Sequence, residues 1–481
     1  MGAGLKTDLF IGNEWRPAAS GRRFPVVNPA TEEILADVAE GDGVDVEAAV
    51  GAARACFDGD AWRGLSARNR GRLLARAADL LEARLDEFAR LETLHNGKTL
   101  FESKIEIRMT VSTLRYYAGW ADKLTGETIP VEGPYFVYTL REPVGVIGAI
   151  VPWNFPLNIA SWKFAPALAA GCTVVLKPAS ETPLTALAFG EIALEAGFPP
   201  GAFNVVAGGG STAGGALVRH PGVDKIAFTG STEVGRQIMR AAADTNKRVT
   251  LELGGKSPNI VFADADLEHA VKGALTGIFY GKGEVCAAGS RLLVESAVHD
   301  QVVEQLAARA SKLAPGDPLD KSTRLGALVS AKQRETVLSY VASGVAEGAE
   351  LIAGGKPTSV NGKGYFVEAT VFDRVSPEMT IAREEIFGPV LAVLSFDDIE
   401  QAVQLGNQSM YGLAAGVWTR DVRKAHRLAR ALRAGTVWVN AYNVYDSAAP
   451  FGGFKASGFG RDLGRDALDG YLETKTVWVG V

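Results

Sequence analysis

The sequence predicts an α/β protein with two domains of alternating strands and helices. From residue 144 onward, short apolar runs rich in β-formers alternate with alanine-rich helical stretches, which is typical of parallel sheets covered by helices. A chain of 481 residues with 55 glycines fits this class, because such folds contain many tight turns between strands and helices. The first series predicts strands at 144–151, 173–176, 203–206, 225–228 and 260–262, and helices at 184–195 and 236–243.

Other segments complete the predicted organisation. A second series of strands and helices runs from about residue 290 to 440. Apolar residues recur at three- and four-residue steps over 66–95, which predicts an amphipathic helix with Gly97 just past its end. Segments 125–140 and 476–481 carry β-formers outside both series. We favour their pairing with another subunit, since edge strands invite it; an internal hairpin and a loose tail are the alternative.

Composition excludes several classes of protein. Hydrophobic residues make up 47% and charged residues 22%, which are globular values, and a net charge of -5 argues against nucleic acid as the main partner. No apolar run reaches the ~18 residues of a membrane helix, and residues 1–10 lack the apolar core of a signal peptide. We therefore expect a cytoplasmic protein without membrane partners, with an organelle as the alternative. Three scattered cysteines and five scattered histidines predict neither disulfides nor a metal site.

Cys286 is the first candidate for chemistry. It is flanked on its C-terminal side by Ala287, Ala288 and Gly289, so its thiol could be approached closely. A thiolate is a strong nucleophile, although a free thiol with a pKa of about 8.5 needs activation. The alternative for a lone cysteine is a small buried hydrophobe, which is how we interpret Cys56. Cys172, beside an apolar strand, has the same interpretation.

Glu252 and Asn154 are two further candidates. Glu252 lies within an apolar stretch, where burial would raise its pKa and make it a usable general base; an ion pair with Lys256 or Arg248 is the alternative. Asn154 directly follows a predicted parallel strand, where its amide could stabilise an oxyanion; a turn residue before a proline is the alternative.

Two glycine-containing turns could bind phosphate. Residues 228–235 read as a strand, a tight turn and the start of a helix, which would place backbone N–H groups at a phosphate. Residues 208–213 match the GxGxxA variant after a strand, a weak signal alone.

Together these segments resemble the aldehyde dehydrogenase superfamily, nearest the broad-specificity and retinal-type tetrameric branch. The likeness extends from about Phe10 to the end of the chain. The matching motifs are 152–156, 176–178, 228–235, 251–256, 283–291, 384–389 and 450–453. The resemblance implies a Rossmann-like NAD(P)-binding domain (1–121 and 144–253), an α/β catalytic domain (254–453) and a small β oligomerisation arm (122–143 and 454–481). It also implies a homo-oligomer, with a tetramer expected.

The resemblance implies a role for each candidate. Cys286 would attack the aldehyde, Asn154 and the Cys286 N–H would hold the oxyanion, and Glu252 would activate the water that hydrolyses the thioester. Lys163 would join a proton path from Glu252. The cofactor cleft would be formed by Val151, Pro152, Trp153, Lys177, Ser180, Gly210, Gly214, Phe228, Gly230, Ser231, Val234, Leu253, Gly254, Glu385 and Phe387.

The chain departs from the family pattern at several positions. Ser180 stands where members that prefer NAD often carry a glutamate; a serine does not repel a 2′-phosphate, so we expect NADP to be accepted, although Glu181 next to it weakens this inference. Asp462 replaces a glutamate of the proton path, and its shorter side chain could break or lengthen that path. Gly281, Lys282 and Glu284 replace the usual amides near the cysteine; we expect Lys282 to face solvent.

The substrate tunnel is expected to be aromatic with neutral polar tips. Members that act on succinic semialdehyde usually carry arginine directly before the lysine that matches Lys163, and here Trp162 stands there. We therefore expect uncharged aromatic or medium-chain aliphatic aldehydes. A CoA-acylating dehydrogenase and a thiol esterase without redox chemistry are the alternatives. The expected tunnel residues are Phe155, Asn158, Trp162, Tyr280, Val285, Ala287, Asn443 and Tyr445.

Overall fold

The computed structural model describes residues 4–481, which fold into strands β1–β24 and helices α1–α16. In chain order the strands are β1 Leu9–Ile11, β2 Glu14–Arg16, β3 Arg23–Val27, β4 Ile34–Ala39, β5 Thr128–Ile129, β6 Tyr135–Pro143, β7 Val146–Ile150, β8 Thr173–Lys177, β9 Phe203–Val205, β10 Lys225–Thr229, β11 Arg248–Glu252, β12 Pro258–Val261, β13 Arg291–Glu295, β14 Glu350–Ala353, β15 Pro357–Val360, β16 Lys363–Val367, β17 Thr370–Asp373, β18 Val390–Phe396, β19 Tyr411–Gly412, β20 Ala414–Trp418, β21 Thr436–Val439, β22 Phe454–Lys455, β23 Gly458–Phe459 and β24 Leu472–Gly480.

Most of the longer helices begin at a side-chain cap that satisfies free backbone N–H groups; Thr99, for example, accepts from the N–H of Glu102. The helices are α1 Gly43–Asp58, α2 Asp60–Arg63, α3 Ala67–Ala83, α4 Leu85–Asn96, α5 Leu100–Trp120, α6 Pro156–Ala170, α7 Leu184–Ala196, α8 Gly215–Arg219, α9 Thr232–Ala243, α10 Leu267–Phe279, α11 His299–Ala310, α12 Ala331–Ala346, α13 Thr380–Arg383, α14 Ile399–Gln408, α15 Val422–Ala431 and α16 Asp466–Asp469. Among residues 4–481, no helix is long and apolar enough to span a membrane.

The first large sheet has the strand order β2-β1-β9-β8-β7-β10-β11-β23. Its five central strands, β9 to β11 in that order, are parallel. The chain moves outward from β7 to β9 and then returns to the other side of β7 to form β10. This reversal opens a crevice at the carboxyl ends of β7 and β10, where open α/β sheets bind their ligands.

The second large sheet has the order β14-β17-β18-β13-β12-β20-β21, and only β14 runs antiparallel to its neighbour. The predicted α/β class with two parallel sheets is therefore confirmed. The predicted strands and helices of the first series also occur, with ends shifted by a few residues. Residues 4–481 contain no group of three or more His, Cys, Asp or Glu side chains that could hold a metal ion.

A small third sheet, in the order β24-β6-β5, contains both β segments that the sequence places outside the two series. β24 pairs antiparallel with β6 over nine residues, from Leu472 opposite Pro143 to Gly480 opposite Tyr135. The C-terminal segment is thus paired within its own chain and is not a loose tail. Within residues 454–459, which the resemblance assigns to the arm, β22 pairs with β19 and β23 pairs with β11.

The single helix expected over residues 66–95 is two helices. α3 ends at Ala83 and α4 begins at Leu85, because Arg84 adopts a non-helical φ of -105° and ψ of 20°. Its guanidinium bonds Glu87 at 2.9 Å and Glu191 at 3.0 Å, which holds the break in place. The apolar period continues across the break, so the sequence pattern conceals it. Gly97 ends α4 in the left-handed region, as predicted.

Helix α6 lies at the centre of the molecule. All fifteen of its residues are buried, and Pro156 occupies its first turn, where a missing N–H costs nothing. It packs against α5 and beneath β7 and β8. The side chains of Asn158, Trp162 and Lys163 are therefore held on a rigid, water-free support.

Candidate active site

The site lies at the carboxyl ends of the parallel strands of the first sheet. β7 leads directly into the segment that carries Asn154, and β11 ends at Glu252. β10 lies between them, and the N–H of Gly230 donates to the Glu252 carbonyl at 3.1 Å. Side chains that are about a hundred residues apart in the chain are thus brought to one edge of the sheet.

Cys286 follows a tight turn formed by Gly281, Lys282 and Gly283, all with positive φ. The residue is half-buried, unlike Cys56 and Cys172, which are buried. The pKa of the Cys286 thiol is raised to about 12, mainly by burial and then by the carboxylates of Glu385 and Glu252. Backbone N–H groups at Ala287 and Cys286 act in the opposite direction.

Glu252 is buried, and neither of its carboxylate oxygens has a hydrogen-bond partner. Burial, and then the charge of Asp462, raise its pKa well above the ordinary value of 4.5. The alternative interpretation as an ion pair is wrong: Arg248 pairs with Glu473, and the ammonium of Lys256 has no partner among the described residues. An unpaired buried carboxyl with a raised pKa has the properties of a general base.

Asn154 is buried beside the cysteine segment. Its Nδ2 donates to the carbonyl of Glu284 at 2.9 Å, while its Oδ1 has no partner. Because a carbonyl can only accept, this contact fixes which side of the amide carries the NH2 group. The amide has a second hydrogen, which is available to another acceptor.

Lys163 and Asp462 form a buried salt bridge behind Glu252. The charge of Asp462 raises the pKa of Glu252 and the charge of Lys163 lowers it, so the three groups interact. The shorter side chain of Asp462 therefore does not break the contact with Lys163.

The residues expected to bind the cofactor surround the crevice between β7 and β10. The rings of Trp153 and Phe387 lie edge to face, 5.2 Å apart. Glu385 accepts from the N–H of Gly255 at 3.0 Å, and its carboxylate occupies the space that a Cβ on Gly254 would need. Burial raises the pKa of Glu385 to about 7.

The remaining expected cofactor residues lie at or after the carboxyl ends of the parallel strands β7 to β11. Ser231 caps α9 and accepts from the N–H of Val234, so this helix begins at the crevice. Burial lowers the pKa of Lys177 to about 8, and the hydroxyl of Ser180 donates to the Gly208 carbonyl at 3.2 Å. Gly210 and Gly214 bound a short π-helical turn instead of the start of an α-helix. Val151, Phe228 and Leu253 are buried, whereas Pro152 and Gly230 are partly exposed.

The expected tunnel residues divide into an aromatic cluster and a deeper group. Trp162 and Tyr445 both contact Phe451, at 5.6 and 5.5 Å between ring centres, and both line a cavity of about 590 Å³. The sequence did not predict that Phe451 packs against these two rings. It also did not predict that Arg108 and Arg115 line the cavity. Val285, Ala287 and Asn158 are buried, while Phe155, Tyr280, Asn443 and Tyr445 are partly exposed.

Lys282 is buried, so the expectation that it faces solvent is wrong. Its ammonium lies 2.8 Å from Glu284 and donates to Asn96. Asn96 and Lys98 were also missed by sequence reasoning, although Asn96 donates to the Trp153 carbonyl and Lys98 to the Asn154 carbonyl. Asn96 and Lys98 lie where α4 ends and α5 begins, and nothing in the sequence pattern there indicates a contact with a segment nearly sixty residues away.

A crevice where the strand order of a parallel sheet reverses is the place at which NAD-dependent oxidoreductases bind their dinucleotide. The family model for the aldehyde dehydrogenase family matches residues 15–477. The chain is 52% identical to the human mitochondrial aldehyde dehydrogenase, covering 98% of this chain and 92% of that protein. It is 51% identical to retinal dehydrogenase 2 of Mus musculus, covering 99% and 92%. The chain therefore belongs to the aldehyde dehydrogenase family, as its sequence motifs predict.

Two solved structures are similar over the whole chain. The NAD+ complex of the aldehyde dehydrogenase of Bacillus cereus has a TM-score of 0.98 at 50% identity, covering 99% of this chain and 97% of that one. An indole-3-acetaldehyde dehydrogenase of P. syringae in complex with NAD+ and IAA has a TM-score of 0.98 at 47% identity, covering 100% and 98%. These values confirm the predicted fold class.

Proposed function

We propose that this protein oxidises an uncharged aromatic or medium-chain aliphatic aldehyde to the carboxylic acid, with NAD(P)+ as hydride acceptor. The observation that carries the proposal is the convergence of the Cys286 thiol, the Asn154 amide and the unpaired Glu252 carboxyl at one sheet edge. An enzyme of this kind needs a nucleophile, an oxyanion donor and a base.

The first step is addition of Cys286 to the aldehyde. With a pKa of about 12 the thiol is protonated at neutral pH, so a base must accept its proton as the S–C bond forms. Glu252 is suited to this, because its charge acts on the sulfur and its oxygens have no partners. The carbonyl oxygen becomes an oxyanion, which the second Asn154 amide hydrogen and the Cys286 N–H would hold.

Bound NAD(P)+ supplies the acceptor for the hydride that leaves the adduct carbon. The crevice fits such a group: Trp153 and Phe387 offer aromatic walls, and Glu385 could accept from ribose hydroxyls. Loss of the hydride leaves a thioester on Cys286. The Lys163–Asp462 pair first carries away the proton that Glu252 took from the thiol. The carboxylate that this leaves then takes a proton from water, which attacks the thioester and releases the acid.

We infer that NADP+ is accepted as well as NAD+. Ser180 presents a hydroxyl where a carboxylate would repel a 2′-phosphate, and it is partly exposed beside the buried Lys177. The test compares kcat/KM for the two cofactors. A preference for NAD+ of about a thousandfold, some 4 kcal/mol, would refute the inference.

The tunnel supports the proposed substrate class. Trp162 and Tyr445 line the cavity, and Phe451 packs against both rings. Of the two arginines on the cavity wall, Arg115 is already paired with Asp79 and Glu82, and Arg108 is exposed. Benzaldehyde, hexanal and succinic semialdehyde should be assayed side by side. A higher kcat/KM for succinic semialdehyde would contradict the proposal.

One assay separates the two alternatives from the proposal. Absorbance of reduced nicotinamide should appear with aldehyde and without coenzyme A. A strict need for coenzyme A would indicate an acylating enzyme, and ester hydrolysis without any cofactor reduction would indicate an esterase.

We also propose a homo-oligomer, with a tetramer expected from the nearest branch, in the cytoplasm. The sheet β24-β6-β5 leaves its two outer edges unpaired within the described chain and exposes Tyr135, Phe136 and Trp478. Unpaired edges and exposed apolar side chains are typical of subunit contacts. Light scattering of the purified protein measures the assembly, and a monomer would refute the proposal.

A further inference from the structure

A buried ion pair in the turn before Cys286 has no role in the chemistry described so far. The ammonium of Lys282 lies 2.8 Å from Glu284, and each side chain is only 1% exposed. Removing two charges from water is rarely offset by their mutual attraction alone, so a buried pair is weak evidence for stability. Its presence next to the nucleophile calls for another explanation.

The pair maintains an unusual backbone turn. Lys282 has a φ of 64° between two glycines, a conformation that costs a side chain about 1 kcal/mol. The side chain offsets this by donating to both the carbonyl and the Oδ1 of Asn96, each at 2.8 Å. The N–H of Gly281 donates to Glu102 at 2.7 Å. The turn is thereby attached to the junction of α4 and α5.

Hydrogen bonds connect both Lys282 and Glu284 to Asn154 or to the residue before it. Through Asn96, Lys282 is connected to the Trp153 carbonyl, which accepts from Asn96 Nδ2 at 2.8 Å. On the other side, the Glu284 carbonyl accepts directly from Asn154 Nδ2 at 2.9 Å. The Glu284 carboxylate is itself fixed by the N–H of Val329 at 3.1 Å. The backbone before Asn154 and its side-chain amide are thus held from two directions.

Lys282 is not among the main groups that shift the pKa of the thiol. The largest influences on the pKa of Cys286 are its burial, Glu385, Glu252 and two backbone N–H groups. The charge of Lys282 is instead directed to Glu284 and Asn96.

We propose that Lys282 and Glu284 are positioning residues that aim the Asn154 amide at the oxyanion formed during aldehyde addition. One amide hydrogen is held by the Glu284 carbonyl, and the other is thereby directed toward the reacting oxygen. The inference rests on the proposed function, because it presupposes that Asn154 is the oxyanion donor.

Two matched double variants test this. K282Q/E284Q replaces the charges by amides that can make the same contacts, and K282M/E284M replaces them by apolar chains of similar length. Both should fold, because replacing a buried pair as a unit leaves no unpaired charge. The readout is the pre-steady-state burst of reduced nicotinamide, together with the dissociation constant of NAD+.

We expect K282Q/E284Q to keep the burst rate within about threefold of wild type. In K282M/E284M the burst rate should fall about 10- to 100-fold, which is part of the loss in rate that removal of an oxyanion donor causes. The dissociation constant of NAD+ should not change in either. Equal burst rates in the two double variants would overturn the inference. D373N, which removes a distant partly buried contact to His299, is the control. A loss of burst rate in D373N as large as that in K282M/E284M would also overturn the inference.

N154A separates this inference from the proposed function. If N154A retains the wild-type burst rate, the oxyanion role of Asn154 fails and the inference fails with it. If N154A is slow while K282M/E284M is as fast as wild type, only the positioning role is refuted.

Discussion

Two buried carboxyl groups near Cys286 have opposite surroundings. Glu252 has no partner for either oxygen, whereas Glu284 faces Lys282 and accepts from the N–H of Val329. Burial raises the pKa of both, and that of Glu252 lies well above its ordinary value. A carboxyl that is already paired can position other groups, while an unpaired one remains free to take a proton. The difference between a positioning role and a chemical role here is whether the carboxyl has a charged partner.

The largest effect should come from removing the sulfur near both carboxyls. We expect C286A to lower the turnover at least about 10⁴-fold, because no other nucleophile is placed at the site. Reduced nicotinamide absorbance measures it. C56A, which changes a buried cysteine far from the site, should stay within about twofold. Retention of a tenth of the wild-type turnover by C286A would contradict the mechanism.

The next test exchanges the unpaired carboxyl for an amide. E252Q should lower kcat by about 10²- to 10⁴-fold, since an amide cannot accept the proton. It should also be more stable than wild type at alkaline pH. The folded pKa of Glu252 is raised, so wild type loses stability as the pH rises from about 4.5 toward that raised value.

Unfolding in urea at pH 5 and pH 9 measures this second effect. The stability advantage of E252Q should be larger at pH 9. The single variant E284Q is the matched control, because it leaves Lys282 buried without its partner and should be destabilising at both pH values. An E252Q protein that is less stable than wild type at pH 9 would show that Glu252 has a partner after all.

A smaller effect should be visible in the reactivity of the thiol. With a pKa of about 12, Cys286 in the protein without cofactor should react with iodoacetamide about tenfold faster for each pH unit between 7 and 10. At pH values above the raised pKa of Glu252, E252Q should react faster than wild type, because one negative charge near the sulfur is gone. A rate that levels off below pH 9 would contradict the raised pKa.

The smallest effect concerns the groups behind Glu252. D462N removes a charge that raises the pKa of Glu252, and K163M removes one that lowers it. The pH at which kcat rises, as Glu252 loses its proton, should therefore be lower in D462N and higher in K163M. Each variant should change kcat at pH 7 by about threefold or more. Shifts in the same direction in both variants would refute the coupling.

Much of the fold followed from local patterns. The strands β7, β8, β10 and β12 are mostly apolar and buried along their whole length, and Gly97 ends α4 through its left-handed conformation. The break at Arg84 was missed because the apolar period continues through it. The intrachain pairing of β24 with β6 joins segments more than 300 residues apart, and edge-strand composition alone does not choose a partner.

Two parts of the candidate site were found through their position at strand ends, since the carboxyl ends of parallel strands meet at one edge. Asn154 follows β7 and Glu252 ends β11, whereas Cys286 follows α10 and a tight turn and was found through its small neighbours. The burial of Lys282 could not be read from its neighbours, because it depends on Asn96, which is 186 residues earlier in the chain. A lysine between two glycines is most simply interpreted as an exposed loop residue.

Helix α6 presents Trp162 to the cavity that we propose binds the substrate and, at the very next position, Lys163 to Asp462. Since the whole helix is enclosed, a change that reshapes the tunnel at Trp162 will also move the ammonium behind the base. Attempts to redirect this enzyme toward bulkier aldehydes at that position should therefore alter its pH optimum together with its selectivity. Substitutions at Tyr445, which is carried by a separate loop, would widen the same opening without that side effect.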